Sequence, residues 1–440
     1  MHIRSTLARS KADGVLVIGG GAAGMLAALM AARGGAQVTL LERGEKLGKK
    51  LYITGKGRCN LTNTADFDAF FRQVPRNPRF LQAAVRGFSH EDLTALMAAL
   101  GVPTVEERGG RVFPASQKAS DVTRALARGM ANSGVTVQLE SRVAAVLTQA
   151  ADETEGAPCV TGVRLTDGRV LPARAVILAT GGASYPATGS TGDGYALASA
   201  LGHTVHPPLP SLVPLVTREA WPTQLQGLSL KNVRLSARRG GKVLFDEIGE
   251  MLFTHFGISG PLVLELSSHA QGGDWAACDI RLDMKPGLTP EQLDARLQRD
   301  FEALSRKQFC HALPGLLPAR MALALPALCG IPADKPVHQV TRAERARLCA
   351  LLKGIPLVVT GTRGMEEAIV TRGGIEVREV NPSTMMSKRV GGLYLAGEVL
   401  DVDAHTGGFN LHIAFATGAL AGQAAARALA EADACADEPC

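Results

Sequence analysis

Val15-Leu16-Val17-Ile18-Gly19-Gly20-Gly21-Ala22-Ala23-Gly24 is the stretch that decides the fold. A β-branched apolar run stops at three glycines and restarts as small, apolar residues at helical spacing, which spells strand, tight turn, helix. The glycines fall as Gly19-x-Gly21-x-x-Gly24, the helix runs over 23–33, and a second strand over 38–41 ends in Glu42. Gly19 permits the turn, Gly21 lets the backbone approach a pyrophosphate, and Gly24 lets helix and strand pack closely. Ala22 and Ala23 stand where a helix N-terminus offers free N–H groups and a positive dipole end to phosphate. Glu42 follows about 20 residues on, where a carboxylate accepts from both ribose hydroxyls. That carboxylate argues against a ribose 2′-phosphate; Arg43 beside it is the one local cation pointing the other way. FAD and NAD(P) share this fingerprint, so it fixes a dinucleotide site and leaves the choice of cofactor open.

The uncharged run over 14–32 has the length of a membrane span, but its strand–turn–helix grammar reads as a buried βα unit. The chain of 440 residues has room for two or three domains, and 46% hydrophobic with 20% charged residues is ordinary globular composition. Aromatics at 4% leave little to build stacking platforms for single-stranded nucleic acid, and a net charge of +6 is a mild excess over so large a surface. Both argue for a small-molecule substrate rather than nucleic acid. The eight cysteines are scattered without a C-x-x-C pair, which points to a reducing compartment. The basic start over 1–11 leads into no apolar signal core. The expectation is a cytoplasmic protein with no membrane segment.

Further along, Ser89-x-x-Asp92 begins a helical pattern to Leu100, and Thr289-Pro290-Glu291-Gln292 and Thr341-x-x-Glu344 are capping boxes that start helices. An acidic loop over 152–156 precedes a hairpin around Asp167-Gly168, and a fully apolar strand over 175–179 ends at Thr180-Gly181-Gly182, the kind of strand end that lines a ligand crevice. Prolines 207, 208, 210 and 214 mark the exit from this first domain. Strands, the Gly240-Gly241 hairpin, a helical insert, and short strands over 357–360 and 375–380 follow; the chain closes with a buried strand over 392–398 and a small-residue helix from about Asn410. No second G-x-G-x-x-G occurs between Pro207 and Asn381, where a disulfide-reductase architecture would need a second nucleotide domain.

Five ordered motifs then become recognisable: the glycine-rich start, Gly48-Lys49-Lys50 through Gly55-Lys56-Gly57-Arg58-Cys59-Asn60, Ala179-Thr180-Gly181-Gly182 with Thr191-Gly192-Asp193-Gly194, Thr254-His255-Phe256-Gly257, and Gly397-Glu398 with Thr406-Gly407-Gly408-Phe409-Asn410. Together they resemble the bacterial HI0933-like flavoprotein family, also called BaiN-type or aminoacetone-oxidase-like, over nearly the whole chain. The resemblance implies an α/β protein: a discontinuous Rossmann-like FAD-binding domain over 1–206 and 384–440, an inserted β-barrel-like domain over 207–285 and 355–383, and a small helical subdomain over 286–354. It implies FAD in extended form, with the Ala23 region at the pyrophosphate, Glu42 at the adenosine ribose with Arg43 beside it, Lys49 and Lys50 at the phosphates and ribose, and the Val143 backbone at the adenine. It also places Gly55, Gly57, Asn60, Thr180, Gly181, Gly397 and Gly408 in the cofactor site, and lines the ribityl chain and ring system with Glu398, Asn410, Leu411 and Ile413. The family has glycine where this chain has Lys56. Elementary physics supports the C-terminal assignment: a helix starting near Asn410 would aim N–H groups at the edge of the flavin where negative charge gathers on reduction.

The activity implied is that of an FAD-dependent oxidoreductase. It is either a reductase of an activated C=C bond, with NAD(P)H as transient donor, or an oxidase of a small amine or alcohol. A fumarate-reductase or ketosteroid-dehydrogenase type of reaction, and a flavin-binding protein acting in RNA modification or partner binding, are the alternatives. Because flavin carries the redox chemistry, catalytic side chains are few. His255, Tyr185 and Arg58 are the candidates: the first two as proton donors, Arg58 as an anchor for an anionic substrate or the flavin. Cys59 has no sequence-neighbour histidine to activate it and reads as a packed thiol.

Overall fold

The computed structural model describes residues 14–150, 157–270, 274–313 and 315–437. The basic start and the acidic 152–156 loop lie outside the described residues. The chain divides into two compact units, one formed by 1–210 with 369–440 and the other by 211–368.

In the first unit Val15–Ile18 is buried at all four positions, as a strand covered on both faces of a parallel sheet must be. It pairs in parallel with Val38–Leu41 on one side and Ala175–Leu178 on the other. Thr136–Gln138 and Leu393–Leu395 complete a five-stranded parallel sheet at its two edges. The final strand thus arrives from the far end of the sequence to lie next to Ala175–Leu178. All five strands point their carboxyl ends the same way, and the segments carrying Gly19, Glu42, Thr180 and Glu398 leave from that edge.

The helix Ala22–Arg33 packs on the C-terminal helix Phe409–Asp437, and glycines set the distance. A Cβ at Gly418 would stand 2.3 Å from the Ala23 carbonyl oxygen, and one at Gly422 2.2 Å from that of Ala27. The two backbones therefore touch. The span Phe409–Cys435 is long and apolar enough to cross a membrane by length and composition, but 56% of its most apolar window is buried in the fold, chiefly along Ala22–Arg33, which accounts for its composition. At the head of the first helix, a Cβ at Gly24 would lie 1.8 Å from the Gly19 carbonyl oxygen, the close helix–strand packing that the fingerprint requires.

The second unit holds an antiparallel sheet ordered Ile355–Leu357, Cys278–Asp283, Ser229–Arg239, Lys242–Thr254, Gly257–Ser259, Leu215–Thr217, Val359–Thr362. Its two edge strands are consecutive in sequence with only Val358 between them, so the sheet has to curl back toward itself as a barrel does. Helices Pro290–Ala303, Ala319–Cys329 and Arg342–Leu352 belong to the same unit. The boxes at Ser89, Thr289 and Thr341 all form, with the side chain accepting from the N3 amide and the N3 side chain accepting in return.

Three local expectations differ. Pro207, Pro208 and Pro210 lie within a strand, Val205–Ser211, rather than a bare exit; it belongs to a two-stranded ribbon with Val370–Ile375, where a missing N–H costs least. The chain accordingly re-enters the first unit at Ile369 rather than at 384. Segment 375–380 is not a strand, because the Glu376 carboxylate accepts from the Arg378 amide and folds the chain into the turn Val377–Glu379.

Candidate functional site

The fingerprint turn is built as a cradle. Gly19 takes φ +108°, which only glycine adopts freely, and a Cβ at Gly21 would meet nothing within 4 Å, so the turn faces open space. Met25 is the first amide bonded back into the helix, to the Gly21 carbonyl at 2.9 Å, which leaves the N–H groups of the preceding turn to point outward. Glu42 is fixed beside it: Oε2 accepts from the Gly20 amide and Oε1 from the Gly44 amide, each at 2.7 Å. Lys49 Nζ sits near Gly44 and pairs with Glu45. Glu42, Arg43, Gly44, Glu45, Lys49 and the turn Pro186–Gly189 line a polar cleft of about 280 Å³. Arg43 itself bonds Thr191 and reaches Asp193 at 3.0 Å, both through Nη1.

A second cluster forms where Ala175–Leu178 and Leu393–Leu395 end. Lys50 Nζ donates to Glu398 Oε2 at 2.7 Å and to Ser184 Oγ at 2.6 Å. Glu398 Oε1 accepts from Ser184 Oγ at 3.1 Å and from the Thr371 amide at 2.7 Å. Thr371 Oγ1 in turn accepts from the amides of Ala183 and Ser184 at 2.8 and 3.0 Å. A Cβ at Gly182 would fall 2.4 Å from Thr371 Oγ1 and 2.8 Å from Glu398 Oε1, so the cluster packs directly on that backbone. A Cβ at Gly397 would stand 2.8 Å from that of Ala23, which ties this cluster to the fingerprint helix.

A third group lies at the head of the C-terminal helix. Gly408 takes φ +104° and crowds the Thr62 carbonyl and Asn60 Oδ1. Asn410 uses its side chain as a clip, accepting from the Ala404 amide and donating to the Ala404 and His405 carbonyls. What it presents outward is helix backbone. Leu411 is half-buried and Ile413 buried. His412 is fully buried with Nδ1 3.0 Å from Thr62 Oγ1, and burial lowers its pKa to about 4. Val143 is buried opposite Leu165 at the start of its strand.

Among the described residues, Asn60 Oδ1 and Thr180 Oγ1 are buried oxygens without a hydrogen-bond partner. Such atoms are costly unless a ligand satisfies them. With the open cradle and the fixed Glu42, they form a donor and acceptor set that fits an extended dinucleotide.

The candidate catalytic side chains separate. Tyr185 follows the strand end at φ +52°, half-buried, and its carbonyl accepts from Thr188. Arg58 stacks over Phe113, its guanidinium carbon 4.0 Å from the ring centre, and bonds Glu107 and Gln117. His255 belongs to the second unit, where it is exposed with its ring against Phe256. Cys59 is buried, and burial pushes its thiol up to about 12, so it is inert as a nucleophile. Gly55 and Lys56 both adopt left-handed backbone, a conformation that favours glycine. Sequence reasoning missed Ser184 and Thr371. Ser184 sits two residues past a flagged glycine pair and was within reach; Thr371 carries no local signal.

Comparison with known proteins agrees with this architecture. The HI0933-like protein Rossmann-domain family matches residues 13–424. A 3-dehydro-bile acid delta(4,6)-reductase from Clostridium scindens is 35% identical over 93% of this chain and 98% of its own. The ribosomal RNA dihydrouridine synthase of Haemophilus influenzae is 31% identical over 91% of this chain and 96% of its own. Among solved structures, the Sdh1 complex of Mycobacterium smegmatis in the apo form shares the fold at TM-score 0.50 and 17% identity, covering 95% of this chain and 68% of that one. With the family match over residues 13–424 and relatives aligned over nearly the whole chain, this chain belongs to the HI0933-like family and is a flavin-dependent oxidoreductase.

Proposed function

We propose that the protein binds FAD in extended form along the carboxyl edge of its first sheet and reduces a C=C bond conjugated to a carbonyl, drawing electrons from NADH or NADPH. The observation that carries this reading is Glu42: both its oxygens are aligned by backbone amides beside an open glycine cradle, as ribose recognition requires. The amides of Gly21, Ala22, Ala23 and Gly24 hold the pyrophosphate, with Lys49 and Arg43 flanking the ribose and the Val143 backbone meeting the adenine. Thr180, Gly181, Gly397 and Glu398 hold the ribityl hydroxyls, Lys50 supplying the compensating charge. Gly55, Gly57, Asn60 and Gly408 bring backbone against the ring system, while Leu411 and Ile413 exclude water from it. The outward N–H groups of Asn410 and its neighbours stabilise negative charge at that end. When bound, the cofactor supplies hydride transfer. Tyr185 Oη delivers the proton that completes reduction of the substrate, and Arg58 shapes the 54–60 loop. We place the protein in the reducing cytoplasm, in keeping with its scattered cysteines.

The relatives' names support the bond type: one is a reductase of a 3-dehydro-bile acid, the other forms dihydrouridine. The second name also favours a second reading, in which the same bond is reduced in a uracil base of RNA. One experiment separates them. The flavin-loaded protein is reduced anaerobically with NADPH or NADH, then offered a cyclic enone or a uridine-containing RNA. Reoxidation by the enone, lost in Tyr185→Phe with flavin retained, supports the first reading; reoxidation by RNA alone replaces it with the second; reoxidation by neither contradicts both.

A further inference from the structure

The turn Thr191-Gly192-Asp193-Gly194 follows the Pro186–Gly189 segment and opens the helix Asp193–Ala200, and the Asp193 carboxylate faces protein. Arg142 grips it with two prongs, Nε to Oδ2 at 2.9 Å and Nη2 to Oδ1 at 3.0 Å. Arg43 Nη1 reaches Oδ2 at 3.0 Å, and Thr191 Oγ1 donates to Oδ1 at 2.9 Å. Arg43 also bonds Thr191, which closes the ring of contacts. All of these residues lie in the first unit.

The two arginines matter for their positions in the chain. Arg43 directly follows Glu42, and Arg142 directly precedes Val143. The segments carrying them are laced together already, because the Ser141 amide donates to the Glu42 carbonyl at 2.8 Å and the Glu140 amide to that of Gly44 at 3.1 Å. Asp193 adds the third side, the segment that follows Pro186–Gly189, whose residues line the cleft opposite Glu42 and Lys49. We propose that Asp193 is a positioning residue for the adenosine half of the cofactor: without touching it, Asp193 holds the segments of Glu42, Val143 and the 186–192 turn in register around it. This inference rests on the dinucleotide reading above.

An isolated exposed ion pair would be too weak for that task, at about 0–1 kcal/mol. Here one carboxylate, 22% exposed, takes a two-pronged arginine, a second arginine and a hydroxyl, and such charge-assisted forks are stronger and geometrically specific. The carboxyl stays below its usual range: burial pushes it up, but the bonds from Arg142 and Thr191 and the Arg43 charge outweigh that.

The test uses the full-length, flavin-loaded protein. FAD release on dilution is followed by flavin fluorescence, and FAD is competed separately with ADP, which carries only the adenosine half, and with FMN, which carries only the other. Asp193→Asn is expected to raise Kd for FAD and the competition constant for ADP about tenfold, the loss of one charge-assisted bond, and to leave that for FMN unchanged. Arg142→Gln gives the same pattern and carries the test alone should Asp193→Asn fail to fold. Equal weakening of ADP and FMN, or no change in either, overturns the proposal. A wild-type protein that carries no flavin and takes up neither FAD nor ADP overturns the dinucleotide reading, and this inference with it.

Discussion

The two ends of the proposed cofactor groove are built in opposite ways. The Glu42 end is made of backbone: a glycine turn, helix amides, and one carboxylate fixed by two amides within 22 residues of sequence. The Glu398 end is made of side chains gathered from four distant segments, with Lys50 and Glu398 separated by 348 positions. A backbone site is written in residue spacing, because glycine placement dictates it locally. A side-chain site exists only after the sheet has brought Leu393–Leu395 beside Ala175–Leu178, so its partners are invisible until the fold is known.

The contrast can be broken most severely at the backbone end. Gly24→Val drives a side chain into the Gly19 carbonyl, where neither backbone can yield. The expected loss is more than about 3 kcal/mol, read as a lowered urea midpoint together with loss of bound flavin. A conservative change there should cost more than any at the Glu398 end.

Acid probes the third group, at the head of the C-terminal helix. His412 stays neutral in the fold down to about 4, whereas an unfolded histidine protonates near 6.5. Between those values the unfolded chain binds the additional proton, so the contribution is complete above about pH 6.5 and falls away as pH drops toward 4. It amounts to about 3 kcal/mol, and thermal unfolding of the wild type should lose stability over that window more steeply than His412→Asn does.

Lys50→Met removes the cation from Glu398. With both side chains about one-fifth exposed, solvent compensates in part, and the expected loss is about 1 kcal/mol. A double-mutant cycle with Glu398→Gln should recover a coupling of the same order; additivity would mean that the cluster is not a unit. The smallest effect is a gain. Lys56 holds φ +60°, and Lys56→Gly should raise the urea midpoint by the equivalent of about 0.5 kcal/mol, as left-handed strain outweighs the extra freedom of the unfolded glycine.

Much of this was readable before any coordinates. The five-stranded parallel core follows from apolar runs and the fingerprint, and the helix starts at Ser89, Thr289 and Thr341 form as spaced. The position of Glu42 after the fingerprint was legible too, whereas its bonds from the Gly20 and Gly44 amides emerge only in the fold. What was not readable has a common cause. Val205–Ser211 is a strand despite its prolines because, among the described residues, it pairs on one side alone, with Val370–Ile375. Asn410 points its side chain at Ala404 rather than outward because that loop has acceptors to satisfy. Arg58 is held by Glu107, Gln117 and Phe113, none of them near it in sequence. In each case the folded chain decides: through partners distant in sequence for the strand and for Arg58, and through the conformation of a loop five and six residues away for Asn410.

The central claim is that Glu42 and its glycine turn hold the adenosine end of FAD. It is tested most directly by the visible absorption spectrum and extracted cofactor of the freshly purified protein, set beside those of Glu42→Ala. The account predicts flavin bands in the wild type, FAD rather than FMN on extraction, and about tenfold weaker retention in the variant with its fold intact. A protein that is colourless and stays so with added FAD, or a variant that keeps full flavin occupancy on dilution, would contradict it.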